Sequence, residues 1–196
     1  MSFFLKKRFY LLLLIVLLIA LFYKSHWLGR MLYPISYQSD IVISSEQHDI
    51  DPLFVAAVIR VESNYDPDKL SAKEATGLMQ LMPQTAEWIA QQHHVHLDRS
   101  SLHRPDINID LGAWYLAYLQ RLLMKQTGVQ TPDKYDKIAL VAGAYNAGPG
   151  NVIKWLEQQT WSGEADRIAD IPFGETRHYI QRVLYYYKKY EDLYEL

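Results

Sequence analysis

The chain has 196 residues, enough for one compact domain of about 150 residues plus an appendage. Its formal net charge is −2 and it has no basic run beyond Lys6-Lys7-Arg8, so it lacks the electrostatic footprint of a nucleic-acid binder. With no cysteine it has no disulfide, no thiolate metal site, no thiol nucleophile and no point for lipoprotein acylation.

Residues 9–23, FYLLLLIVLLIALFY, contain no polar residue except the terminal tyrosines, and Lys6, Lys7 and Arg8 precede them. Such a run is either a signal peptide or a transmembrane anchor. Its 15 residues span roughly 22 Å at about 1.5 Å rise, short of the roughly 30 Å hydrocarbon core, which on length favours a signal segment. Cleavage chemistry points the other way. Ala20 is followed two positions on by Phe22, while Ser25 and Gly29 are preceded two positions back by Tyr23 and Trp27, so no A-x-A-like site exists. Snorkelling by Arg8 and Lys24, with Trp27 and Tyr33 at the interface, extends the span. The expectation is an uncleaved single-pass anchor over 9–23, with residues 1–8 cytoplasmic and everything after Lys24 on the outer, periplasmic or extracellular, side. Residues 24–36 then read as a short juxtamembrane connector containing Pro34, and residues 37–196 as a domain that folds without them.

Residues 37–49 place Ile41, Val42 and Ile43 among polar neighbours, a modest amphipathic pattern for a first helix. Asp51 reads as an N-cap with Pro52 at the first helical position, opening a second helix over 52–63 that is apolar on nearly every face. A helix apolar all round is a buried one. Residues 64–76 read as a loop, and Pro83 opens a third helix through Gln92. His93, His94 and His96 lack the i, i+4 spacing of H-E-x-x-H and an adjacent carboxylate ligand, and read as a solvated helix end with no metal. Asp106 is expected to cap a long core helix through about Lys125, closed by Gly128, in which Gly112 marks a close helix contact. Thr131 and Pro132 start a further helix that runs to Asn146 before Gly148 and Pro149 stop it, and residues 152–158 form another. Residues 160–171 carry no clear pattern. Glu175 begins the last helix, whose Tyr179, Val183, Tyr186, Tyr190 and Leu193 follow an i, i+3/i+4 stripe typical of core and rim. No segment alternates with period two, so the fold class is all-α.

One carboxylate is out of place. Glu62 sits in the last turn of the buried second helix, just before Asn64, Tyr65, Asp66 and Pro67 end it. Desolvation there disfavours the charged form and raises the pKa, which turns a glutamate into a proton donor near neutral pH. A glutamate at a helix end is more commonly solvated or ion-paired, so the sequel matters. Glu62–Ser63 is followed by Ser71, by GLMQLMP over 77–83, by AYNAGPG over 144–150 and by PFGETRHYI over 172–180. In order and rough spacing these resemble the family 1 lytic transglycosylases, the SLT-type peptidoglycan-cleaving enzymes related in fold to goose-type lysozyme, over roughly residues 37–192.

The resemblance implies a lysozyme-like helical domain and a cofactor-free reaction on peptidoglycan glycan strands. Glu62 protonates the bond between N-acetylmuramic acid and N-acetylglucosamine and then takes a proton from the muramyl C6 hydroxyl, which closes on C1 as a 1,6-anhydro end. Most glycosidases divide such work between two carboxylates. Here Asp66 and Asp68 lie in the loop and Glu87 on a solvent-like face; if none of them faces Glu62, the substrate's own N-acetyl group must serve as internal nucleophile, which is the mechanism the resemblance implies. By the same resemblance Ser71 and Gln80 orient the acetamido group and sugar hydroxyls, Met82 lines the cleft floor, Tyr145 and Asn146 hold the N-acetyl group or the intermediate, and Glu175 is a cleft-lining hydrogen-bond partner. Each also has a structural alternative: Tyr145 as a core aromatic, Asn146 as a helix C-cap, Glu175 as a helix-dipole partner. The sequence departs from the family at Glu74, where glycine is usual, and a glutamate there could supply a second carboxylate. The rivals are a lysozyme-type hydrolase on the same fold and a wall-binding module without turnover.

Overall fold

A computed structural model describes residues 3–23, 26–93, 97–127 and 133–196. Among them are nine α-helices: α1 Phe3–Tyr23, α2 His26–Leu32, α3 Gln38–His48, α4 Pro52–Glu62, α5 Pro83–Gln92, α6 Pro105–Thr127, α7 Lys134–Ala147, α8 Pro149–Glu157 and α9 Gly174–Leu193. Extended pairing among the described residues is confined to two isolated bridges, Leu70 to Thr76 and Thr76 to Leu81.

The core is built around α4. Asp51 accepts a hydrogen bond from the Leu53 N–H at 2.8 Å, and Pro52 occupies the first helical position, where a missing N–H is no loss. Phe54, Val55, Ala56, Ala57, Val58, Ile59 and Val61 are all buried, because α9 and α3 cover α4 while α6 and α7 complete the core behind them. After Glu62 the helical geometry fails at Ser63, and Asn64 and Tyr65 take left-handed backbone with φ of 56° and 66°. The chain therefore turns sharply just past the acid.

Several boundaries differ from expectation for local reasons. Asp106 lies in the first turn of α6, where it pairs with Arg104 at 2.7 Å instead of capping the helix. The cap of α7 is Asp133, which accepts from the N–H groups of Tyr135 and Asp136; Gly128, Thr131 and Pro132 lie outside the described residues. Pro149 both stops α7 and opens α8, so α8 begins three residues earlier than Val152. Within the stretch without a clear pattern, Ala165–Asp170 forms a 3-10 turn, and the buried Trp161 donates Nε1–H to the Glu164 carbonyl at 3.1 Å. The packing behind Gly112 is against Met79: a Cβ at this position would run into that buried side chain.

Two expectations about the N-terminus change. Helix α1 includes Lys6, Lys7 and Arg8 within its own length, and among the described residues no helix is long and apolar enough to cross a membrane. The transmembrane anchor over 9–23 is not supported in that form. The connector is also more than a spacer, since it contains α2, which lies against the end of α9. Tyr33, expected at a membrane interface, instead shares a 2.7 Å hydrogen bond with the Tyr185 hydroxyl, and Ile35 is buried in the core.

Candidate active site

Glu62 is the last residue of α4 and is half-buried at the point where the core helix opens. Burial dominates its electrostatics and raises its pKa from the ordinary 4.5 to about 7. Three groups oppose that rise: a hydrogen bond from the Tyr179 hydroxyl to Glu62 Oε1 at 2.8 Å, then the charges of Lys69 and Arg182. The carboxyl is thus poised where both of its protonation states are populated near neutral pH.

Tyr179 arrives from the second turn of α9 and Tyr145 from the last turn of α7. Burial is the largest cause pushing both hydroxyls well above the ordinary tyrosine range, and the charge of Glu62 adds to it. Hydroxyls that do not ionise remain donors. Tyr179 spends its proton on Glu62, and Tyr145 donates to the Met79 carbonyl at 2.7 Å.

Met79 belongs to the loop that follows α4, and this loop is held as a knot. Ser71 and Ala75, Thr76 and Leu81, and Lys69 and Gly77 are joined by backbone hydrogen bonds of 2.9–3.1 Å. The Ser71 hydroxyl accepts from the N–H groups of Lys73 at 3.2 Å and Ala75 at 2.9 Å. The Gln80 amide donates to the carbonyls of Lys69 at 3.0 Å and Gly77 at 2.9 Å. Asn108, fully buried on α6, fixes the loop from beneath: its Oδ1 accepts from the Met79 N–H at 2.8 Å, and its Nδ2 donates to the carbonyls of Thr76 at 3.0 Å and Leu102 at 2.8 Å. Gly77 needs its φ of +79°, and a Cβ there would meet the Leu102 carbonyl at 2.5 Å and crowd the Asn108 amide. Lys69 closes the circuit by donating Nζ–H to the Glu62 carbonyl.

The predicted residues therefore fall into three groups. Glu62 and Tyr145 are close enough for the charge of one to shift the other. Ser71 and Gln80 lie in the loop, with their side-chain groups engaged on its backbone, and Met82 follows as the N-cap residue of α5, 39% exposed. Asn146, next to Tyr145, accepts from the Thr176 hydroxyl at 2.8 Å, and the exposed Glu175 adjoins Thr176 in the first turn of α9. Among the described residues no hydrogen bond joins the Glu62 carboxyl to Ser71, Gln80, Asn146 or Glu175; its partner is Tyr179. In the sequence that tyrosine reads as part of a core stripe, and its place inside the PFGETRHYI motif is the signal that it does more. The role of Asn108 was also missed; its signal was one amide among the apolar positions of α6.

The other carboxylates are engaged elsewhere. Asp66 accepts from the Asp68 N–H at 3.0 Å, Asp68 faces His103 at 3.8 Å, and Glu87 pairs with Arg99 at 2.7 Å. Glu74 is exposed with a left-handed φ of 64°, which accounts for glycine being usual there, and its charge acts on Arg99. No carboxylate is among the groups that shift Glu62. Among the described residues no three His, Asp or Glu side chains gather as a metal site. His93 packs edge-on against Trp114 and His48, while His94 and His96 lie outside the described residues.

Residues 41–168 match the family described as Transglycosylase SLT domain. The chain is 33% identical over 159 residues to the soluble lytic murein transglycosylase of Salmonella typhimurium, in a match covering 79% of this chain and 23% of that protein. It is 28% identical over 162 residues to the membrane-bound lytic murein transglycosylase C of Actinobacillus pleuropneumoniae, covering 74% and 43%. Among solved structures, an inactive mutant of the lytic transglycosylase Slt from Pseudomonas aeruginosa superposes with a TM-score of 0.71 at 33% identity, over 84% of this chain and 25% of that one. The all-helical, lysozyme-like SLT fold is shared with that structure, while the chain spans about a quarter of the length of the soluble relative.

Proposed function

Because the chain belongs to the transglycosylase SLT domain family, we propose that it is a peptidoglycan lytic transglycosylase in which Glu62 is acid and then base. The observation that carries this is one half-buried carboxyl with a pKa of about 7, bonded to a tyrosine and, among the described residues, shifted by no second carboxylate. Protonated Glu62 gives its proton to the oxygen between N-acetylmuramic acid and N-acetylglucosamine as that bond breaks. The electron pair goes to the leaving oxygen, and the acetamido oxygen of the muramyl residue closes on C1. The Tyr179 hydroxyl, held 2.8 Å from Oε1, steadies the carboxylate that results. That carboxylate takes the proton of the muramyl C6 hydroxyl as O6 attacks C1 and expels the acetamido oxygen, which restores Glu62 and leaves the 1,6-anhydro end. Water is not consumed.

Tyr145, held against the Met79 carbonyl, and Asn146 orient the N-acetyl group; the braced loop of Ser71 and Gln80, with Met82 at its exit, and Glu175 in the first turn of α9 position the sugar hydroxyls. Residues 37–196 are the catalytic unit. The apolar part of α1, whose residues 9–19 expose 42–66% of their surface, associates with the membrane and keeps that unit on its outer side. The membrane-bound relative supports this placement by its name. Mass spectrometry of the muropeptides released from purified sacculi tests the reaction. Anhydro ends, lighter by one water than hydrolysis products, are expected; reducing muramyl ends would assign the chain to the hydrolases. Turnover in EDTA should equal that without it, and loss restored by zinc would reopen the histidine cluster.

A further inference from the structure

Helix α2 is inverted in polarity relative to an ordinary surface helix. Its positions His26, Gly29, Arg30 and the following Tyr33, spaced i, i+3, i+4, i+7, all turn toward the end of α9. Arg30 donates Nε–H to the Leu193 carbonyl at 2.7 Å and stacks on the Tyr194 ring, and the Tyr194 hydroxyl donates to the Tyr33 carbonyl at 2.9 Å. Gly29 lies so close to the Leu193 side chain that a Cβ would collide with it, and His26 and Arg30 line a cleft with Asp192 and Glu195. The opposite face carries Trp27, Leu28, Met31 and Leu32, which are 62%, 40%, 67% and 62% exposed. The polar and small side chains thus lie along the end of α9, with His26 and Arg30 still exposed, and the large apolar ones face away from it. On a water-facing surface that arrangement forfeits the burial of four large side chains; against an acyl boundary it gains it.

We propose that this outward face of α2 is a bilayer-docking surface, which fixes the orientation of the folded domain on the membrane. The inference rests on the membrane association of α1 proposed above. The apolar surface of α1 precedes α2 with only residues 24 and 25 between them, so the bilayer is the surrounding phase nearest to this face. The seam behind it suits a headgroup layer, with Lys189 placed over the rings of Tyr33 and Tyr185 and Tyr185 itself 47% exposed. Helix α9 is then a strut. Its Leu193 end holds α2, and its Tyr179 end holds Glu62, 14 residues away along the helix. At about 1.5 Å per residue those two points of attachment are roughly 21 Å apart along α9. Cleavage would be confined to glycan at a set height above the membrane.

The absence of cysteine makes the test direct. Single cysteines are placed in the full chain at Ile15, Met31, Leu32 and Glu157, each labelled with a nitroxide. The protein is reconstituted in vesicles of phosphatidylethanolamine and phosphatidylglycerol. Collision rates with oxygen and with a water-soluble nickel complex then separate acyl from aqueous environments. Docking predicts that the labels at 31 and 32 resemble that at 15, favouring oxygen, whereas the label at 157 favours nickel. If 15 favours oxygen while 31 and 32 favour nickel, docking is overturned and the membrane association stands. If 15 also favours nickel, the association fails and docking fails with it. Spin–spin broadening between copies at 31, with low oxygen access, would assign the face to a second copy of this chain and overturn the proposal. All four substituted side chains are exposed or half-exposed, so the variants remove no core contact.

Discussion

At the scale of single residues, the balance on Glu62 makes two predictions. Glu62→Gln keeps the shape but cannot exchange a proton, so turnover should fall by roughly 10²–10⁴-fold while binding of glycan strands persists. Near-normal turnover would remove Glu62 from the mechanism. The same substitution should act on stability with a definite sign. Between 4.5 and about 7 the folded protein still holds the Glu62 proton that the unfolded chain has lost. This contribution to stability is complete below 4.5 and is lost as pH rises through about 7. The rise in pKa corresponds to roughly 3 kcal/mol at most, discounted because the side chain is half-buried and partly solvated. Glu62→Gln should therefore unfold at higher denaturant than the wild type above about pH 7 and converge with it near pH 4; a constant difference across that range would refute the linkage. Tyr179→Phe removes a bond to the charged form. The pKa of Glu62 should climb, and the alkaline limb of the rate profile should move up by about one pH unit or more, with lower turnover throughout. An unmoved limb would mean that Tyr179 only packs.

At the scale of elements, the loop between α4 and α5 depends on a side chain from α6. Asn108→Ala would leave the Met79 N–H and the Leu102 carbonyl without their side-chain partner in a buried setting, while the Thr76 carbonyl keeps the Leu81 N–H. At about 1–3 kcal/mol for each of these two groups, the loss should reach at least ~2 kcal/mol, more than a typical surface substitution. Activity should fall with it, because Met79 carries the carbonyl that holds Tyr145. Hydrogen exchange is the discriminating measurement: protection lost first at residues 69–81 is expected, and uniform loss across all helices would show that Asn108 supports the core generally. Chemistry and architecture meet in this loop, since its positive-φ residues Gly77 and Gln80 both bond to the Lys69 carbonyl while the Lys69 side chain bonds to Glu62.

At the scale of the whole molecule, the N-terminal connector belongs to the fold it joins. Ile35 is buried, Tyr33 bonds to Tyr185, and Arg30 bonds to the end of α9. A chain beginning at residue 26 should therefore be more stable than one beginning at residue 37. Burial of Ile35 together with the bonds of Tyr33 and Arg30 puts the difference at about 2–4 kcal/mol. Urea unfolding of the two fragments measures it directly, and equal midpoints with equal slopes would return residues 26–36 to the status of a spacer.

The helices were legible in the sequence wherever one side chain decides them. Asp51 with Pro52 opens α4, Pro83 opens α5, and the unbroken apolar surface of 53–61 requires that α4 be buried. Those are local facts, fixed by backbone chemistry and by transfer from water, and they sufficed to place Glu62 in a desolvated position. The motifs then suggested the family. Contacts between residues far apart in the chain were not legible. Tyr179 is 117 positions from Glu62, Asn108 is 29 from Met79, and Arg30 is 163 from Leu193. A stripe of tyrosines has the same period whether it lines a core or bonds to an acid, and a short run such as HWLGRML reads as linker until a second helix supplies the surface for its polar side. Pattern records which face a helix will bury; tertiary packing determines what that face meets, and here it determined the partner of the acid, the brace of the loop and the outward apolar face of α2.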